Sequence, residues 1–263
     1  PHTSEAVSRP PPPRKLPHVS PSPPPRSGFV TGPAPDTHAG GPTALATASR
    51  HIDTAAIYGN EEGVGAAIAA SGIARDELYI TTKLWNPDQV KPIDTLKQSL
   101  KLLETEYVDL YLIHWPAPGH DHYLQAWEGL VEAQKQGLAR AIGVSNFQAE
   151  HLRRIIEATG VTPAVNQIEL HPYLTQHGLR REHADRGIVT EAWSPLAQGL
   201  VLDDPVITEI AAEHGRTPGQ VVLRWHIELG NVVFPKSMTP SRIEENLDIF
   251  GFSLSEEEVA RIE

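Results

Sequence analysis

From Arg50 onward, short apolar runs alternate with longer amphipathic stretches, and no other feature constrains the fold as much. The runs at 51–53, 78–82, 108–114, 141–144, 164–168, 189–192 and 232–234 have the length and apolar content of buried strands. Between them the spacing predicts helices over 62–71, 92–103, 123–136, 148–158, 179–186, 205–214 and 218–227. Strand and helix in strict succession imply an α/β fold with a parallel sheet and crossover helices. Seven strands are one short of a (β/α)8 TIM barrel, which uses about 250 residues as a single domain.

The eighth strand has to come from before Arg50, where Gly28–Thr31 is the candidate. Its helix would span 36–48, yet Gly40, Gly41 and Pro42 fall inside it. A proline in a helix interior costs about 3 kcal/mol and a glycine about 1. The first strand and helix are therefore expected to be atypical, and the barrel incomplete at that point. Thirteen of the 24 prolines lie in residues 1–42, a region without isoleucine that cannot bury enough apolar area to offset its ordering entropy. Residues 1–25 are expected to be a disordered Pro-rich segment, and 26–263 the barrel domain. The same composition would suit an SH3-type partner. The abrupt change of composition before Arg50 has a further reading, an N-terminus foreign to the rest, such as a shifted reading frame would write.

Bulk properties narrow the function. A formal net charge of −11 argues against a nucleic-acid surface, and the apolar runs are too short to span a membrane. No basic stretch followed by an apolar one marks a leader, and the absence of cysteine rules out disulfides and thiolate metal sites. A cytoplasmic monomer acting on a small molecule is expected.

In a parallel barrel every strand delivers its following loop to one face, so residues far apart in sequence converge there. Asp53, Lys83 and His114 close three successive predicted strands, and Tyr58 lies in the first of the loops. A tyrosine with a reference pKa of about 10 is a poor acid at neutral pH unless a cation favours its phenolate. Lys83 can supply that cation, and Asp53 can hold the lysine in place and keep it charged. Tyr58 then becomes a candidate general acid toward a carbonyl oxygen, with His114 as a second donor and orienter. No GxGxxG follows a strand, which excludes a Rossmann cofactor domain.

The segments HIDTAAIYGNE, ITTKLW, DLYLIHWP, IGVSNF, VNQIELHP and VVFPKS occur in the order and spacing of the aldo-keto reductases. From Arg50 to Glu263 the chain resembles the bacterial group similar to 2,5-diketo-D-gluconate reductase. The resemblance implies Asp53, Tyr58, Lys83 and His114 as the catalytic four, with Tyr58 the proton donor. It implies NADPH, with Ser145, Asn146 and Gln167 on the nicotinamide carboxamide and Trp193 stacked on its ring. Ser194, Leu196, Gln198 and Gly199 match the loop over the pyrophosphate. Lys236, Ser237 and Arg242 match the 2′-phosphate site, with Glu245 and Asn246 near the adenine. Trp85 and Trp115 match the wall of a pocket for a small carbonyl substrate, keto-sugars included. The resemblance implies a C-terminal loop over the active site, and the last helix is expected to be cut short at Glu263, before that loop.

Each residue alone has a plainer explanation. Asp53 would serve as a helix cap, Tyr58 as rim packing and His114 as a satisfied core histidine. Their joint placement favours chemistry. Thirteen histidines raise the question of a metal hydrolase, but His120 and His122 lack an acidic partner at a matching strand end, and no metal is expected. His51 and His171 read as structural, Trp127 and Trp225 as core. Ser255 and Glu258 have the spacing of a capping box. Two rivals remain: a nucleotide-binding regulatory barrel, and a barrel impaired by its atypical N-terminus.

Overall fold

A computed structural model describes residues 29–30, 50–235 and 239–263. Its strands are β1 (Phe29–Val30), β2 (His51–Asp53), β3 (Tyr79–Leu84), β4 (Val108–Ile113), β5 (Ala139–Ser145), β6 (Val165–Glu169), β7 (Val189–Trp193) and β8 (Val232–Val233). They form one sheet in sequence order, and every pairing is parallel. The helices are α1 (Glu61–Ser71), α2 (Pro92–Leu102), α3 (Tyr123–Lys135), α4 (Ala149–Thr159), α5 (His177–Arg186), α6 (Pro205–His214), α7 (Pro218–Glu228), α8 (Pro240–Leu247) and α9 (Glu256–Ile262). The predicted βα succession is present from β2 onward. Strand β3 runs two residues further than the apolar pattern suggested, because Lys83 is buried with its charge paired and continues the ladder. Helix α8 was not predicted, since it is short and mostly polar.

Within the predicted Gly28–Thr31 segment, Phe29 and Val30 do pair with β2, opposite Ile52 and Asp53. The predicted helix at 36–48 and the Pro-rich segment 1–25 lie outside the described residues. Among the described residues the ladders do not include one between β8 and β1. Side chains nonetheless meet across that side: the rings of His51 in β2 and Phe234, just after β8, lie 4.7 Å apart.

Two apolar layers result from the strand alternation. Leu110, Leu112, Ala141 and Val165 pack together inside the barrel. A larger layer between strands and helices holds Ile80, Leu84, Tyr111, Trp127 and Trp225. The two tryptophans are fully buried, as expected of core residues. The barrel interior is tight at Gly143 of β5, where an added Cβ would sit 2.6 Å from the Val165 carbonyl oxygen and 2.9 Å from Leu112. Ser255 and Glu258 form the expected capping box at α9, with Glu258 accepting from the Ser255 amide at 2.6 Å.

Candidate active site

Parallel strands carry successive inward side chains to one rim, and the site is built there. Asp53 ends β2, Lys83 sits one residue before the end of β3, and His114 follows β4 directly. Ser145 and Trp193 end β5 and β7, while Gln167 lies within β6. The registers Ser145 to Gln167 and Gln167 to Glu191 put these side chains on the same inward face. Asp53, Tyr58, His114, Ser145, Gln167 and Trp193 surround a cleft of about 300 Å³, also lined by Trp115, Asn146, Ser194, Pro195 and Phe234.

Lys83 and Asp53 are both fully buried and form an ion pair at the floor of the site. The ammonium also donates to the Thr54 carbonyl at 3.0 Å, and it lies 5.4 Å from the centre of the Tyr58 ring. Burial alone would push the Lys83 pKa down. The charges of Asp53, Tyr58 and Glu191 and the Asp53 hydrogen bond outweigh it, and the net shift is upward. The lysine therefore stays charged beneath the phenol.

His114 meets the Tyr58 ring edge-on, with centroids 5.9 Å apart, and Trp85 packs against its ring at 5.2 Å. Burial and then the Lys83 charge push its pKa down to about 3. The imidazole is neutral at physiological pH. Its Nδ1 is buried without a partner, which leaves Nε2 as the nitrogen able to meet a ligand.

The opposite wall is a polar cluster. Asn146, in the left-handed region at φ 62°, donates to the His114 carbonyl at 3.0 Å and to Ser145 Oγ at 3.1 Å. Its side-chain oxygen accepts from the Trp193 indole at 2.9 Å. Gln167 Nε2 donates to Asp53 at 2.8 Å and to Glu191 at 3.0 Å. Ser194, Ala197 and Gln198 also have positive φ, at 51°, 47° and 56°. Such strain in non-glycine residues gathers at ligand-binding loops. His226 steadies this loop by bonding the Pro195 carbonyl at 3.3 Å.

The sequence-predicted residues separate into groups. Asp53, Tyr58, His114, Trp115, Ser145, Asn146, Gln167, Trp193 and Ser194 line one cleft, with Lys83 below it and Trp85 behind His114. Leu196, Gln198 and Gly199 continue the loop after β7, with Gln198 and Gly199 in a short 3-10 turn. Arg242, Glu245 and Asn246 lie on α8, where Arg242 is exposed and Glu245 accepts from the Thr217 hydroxyl at 2.6 Å. Lys236 and Ser237 fall outside the described residues. Sequence reasoning missed Glu191, Thr54, Pro195 and Phe234. A lone carboxylate in the apolar run VTEAW was the available sign of Glu191. His51 is buried in the core against Tyr79, Thr81 and Phe234, as a structural residue would be. Among the described residues no group of three or more His, Cys, Asp or Glu side chains could hold a metal, and no helix is long and apolar enough to cross a membrane.

The model of the aldo/keto reductase family matches residues 42–263. The chain is 54% identical over 221 residues to a protein of Salmonella typhimurium named methylglyoxal reductase DkgA, covering 83% of this chain and 80% of that one. A Mycolicibacterium smegmatis aldo-keto reductase is 52% identical over the same shares. Among solved structures, an aldo/keto reductase from Brucella melitensis superposes with a TM-score of 0.87 at 48% identity, covering 90% of this chain and 93% of that one. A mutant of Gox0644 in complex with NADPH gives 0.86 at 45% identity, covering 90% and 88%.

Proposed function

This chain belongs to the aldo/keto reductase family, and from that premise we propose that it reduces small aldehydes and ketones to alcohols with NADPH, Tyr58 giving the proton. The observation that carries the reading is the buried Lys83, paired with Asp53 and set beneath the Tyr58 ring.

The residues fit the cofactor. Ser145, Asn146 and Gln167 bring amide and hydroxyl groups to one wall of the cleft, suited to a carboxamide, and Trp193 is fixed beside them by Asn146. Arg242 on α8, with Lys236 and Ser237, would take the 2′-phosphate, since a guanidinium recognises phosphate oxygens by charge-assisted bonds. Ser194, Leu196, Gln198 and Gly199 would follow the pyrophosphate. When bound, NADPH supplies the hydride for the carbonyl carbon.

The chain's own part is to orient the carbonyl and deliver a proton. Tyr58 hydroxyl and His114 Nε2 donate to the carbonyl oxygen, and the phenol releases its proton as negative charge develops there. Lys83 favours the phenolate left behind, and Asp53 holds the lysine. A neutral His114 is a hydrogen-bond donor that adds no second positive charge beside Lys83. Trp115, Trp193 and Phe234 enclose the reacting group and limit its size, with Trp85 backing His114.

The relatives named methylglyoxal reductase favour small 2-oxoaldehydes as substrates, and the enzyme is proposed to act as a monomer. Keto-sugars such as 2,5-diketo-D-gluconate are the alternative. A nucleotide-binding regulatory barrel with little turnover is the second reading, to which the Pro-rich N-terminal composition lends support, and a barrel impaired by its atypical N-terminus is the third. Residues 26–263 would form the catalytic domain. The test is NADPH oxidation with methylglyoxal, a diketone and a keto-sugar: multiple turnovers with at least one support the proposal, and tight NADPH binding without turnover supports the second reading.

A further inference from the structure

Glu191 is fully buried in β7 and faces the barrel interior, one register step from Gln167. Its Oε2 accepts from Gln167 Nε2 at 3.0 Å, and the same nitrogen donates to Asp53 at 2.8 Å. Its Oε1 is buried and has no hydrogen-bond partner. Gln167 thus bridges two carboxyl groups through one amide nitrogen. Asp53 and the Oε2 of Glu191 both take the NH2 end of the glutamine, which leaves the amide oxygen free to serve the cleft that Gln167 lines.

The charge count is equally specific. One ammonium, Lys83, is paired with Asp53, and Tyr79 and Tyr58 face the same interior without balancing a second carboxylate. A buried charge without a counter-ion costs far more than a buried neutral group with one unmet bond.

We propose that Glu191 is a positioning residue for the cofactor: carrying its proton, it holds the Gln167 amide with its oxygen toward the nicotinamide carboxamide, and its ionisation weakens cofactor binding. The inference rests on the NADPH reading above. Burial and then the Asp53 charge push the Glu191 pKa up to about 8, against the opposing effects of the Gln167 hydrogen bond and Lys83. Below that pH the network holds one negative and one positive charge. Above it, a second carboxylate faces Asp53, and the Gln167 amide and Lys83 are pulled between two anions.

The experiment measures NADPH affinity by quenching of tryptophan fluorescence, with thermal melts, from about pH 6 to about pH 9.5. It compares wild type, Glu191→Gln and Glu191→Leu. Glutamine keeps an acceptor for Gln167 Nε2 and cannot ionise; leucine removes the acceptor. Wild-type affinity is expected to fall several-fold as pH passes about 8, while Glu191→Gln stays flat near the low-pH wild-type value. Glu191→Leu should be weak at every pH, raising KM for NADPH about tenfold, the scale of one lost orienting hydrogen bond, and leaving KM for the carbonyl substrate unchanged. The same alkaline loss in Glu191→Gln, or wild-type affinity in Glu191→Leu, would overturn the assignment. A wild type that binds no NADPH at any pH would overturn the functional reading and this inference with it, so the two failures are distinguishable.

Discussion

At the scale of single residues, the site depends on one buried ion pair. Removing one partner of such a pair leaves an uncompensated charge and costs about 3–5 kcal/mol. Lys83→Met is therefore expected to destabilise the fold on that scale and to abolish carbonyl reduction, checked by denaturant unfolding and turnover; unchanged stability would show that the pair is not holding Asp53. Arg242→Ala should weaken NADPH by about 1.5–3 kcal/mol, the scale of a charged hydrogen bond, and leave NADH nearly untouched. Equal losses for both cofactors would remove Arg242 from the 2′-phosphate site. The aspartate, tyrosine, lysine and histidine were legible in the sequence because strand alternation tells which residues reach a common rim. Glu191 was not. Alternation marks it as inward-facing, but whether an inward carboxylate is paired depends on contacts between β6, β7 and β2 that no local pattern encodes.

At the scale of elements, helix boundaries followed their end signals. Proline opens α2, α6 and α7, and glycine closes α1 and α4, which is why those predictions landed within a residue or two. Strand lengths were less legible, since β3 keeps its ladder through Lys83 where an apolar pattern stops. Packing between elements is close where α1 meets the end of α2. A Cβ on Gly65 would lie 2.7 Å from the Leu102 carbonyl oxygen. Gly65→Ala is expected to force the helices apart and cost about 1–3 kcal/mol, the usual range for overpacking. A melting temperature equal to wild type would mean that α1 shifts freely and carries little of the barrel's stability.

At the scale of the whole molecule, buried titratable groups set a stability window. His114, His183 and His226 have pKa values pushed down to about 3, 4 and 3, chiefly by burial. Unfolded, each takes up a proton near pH 6.5. Their contribution is present above that pH and is lost as pH falls toward 3 to 4, because the unfolded chain then binds more protons. Glu191 acts with the opposite sign. Its raised value means that its contribution is complete below its unfolded pKa of about 4.5 and lost as pH rises through about 8. Melting temperature should therefore peak between these limits, and Glu191→Gln should flatten the alkaline side alone. Identical alkaline curves for the two proteins would contradict the raised Glu191 value. The barrel itself was legible from the βα succession, except at β1, where two paired residues met a segment whose glycines and prolines gave no clear period.

The central claim is that this barrel reduces a carbonyl with a proton from Tyr58, and one measurement bears on it directly. Wild type and Tyr58→Phe are compared for NADPH oxidation driven by methylglyoxal, with NADPH affinity measured on both. The account predicts sustained turnover in wild type, a loss of about 10²-fold or more in Tyr58→Phe as for removal of a positioned general acid, and cofactor affinity unchanged within about twofold. Turnover near the wild-type rate in Tyr58→Phe, with cofactor bound, would contradict it.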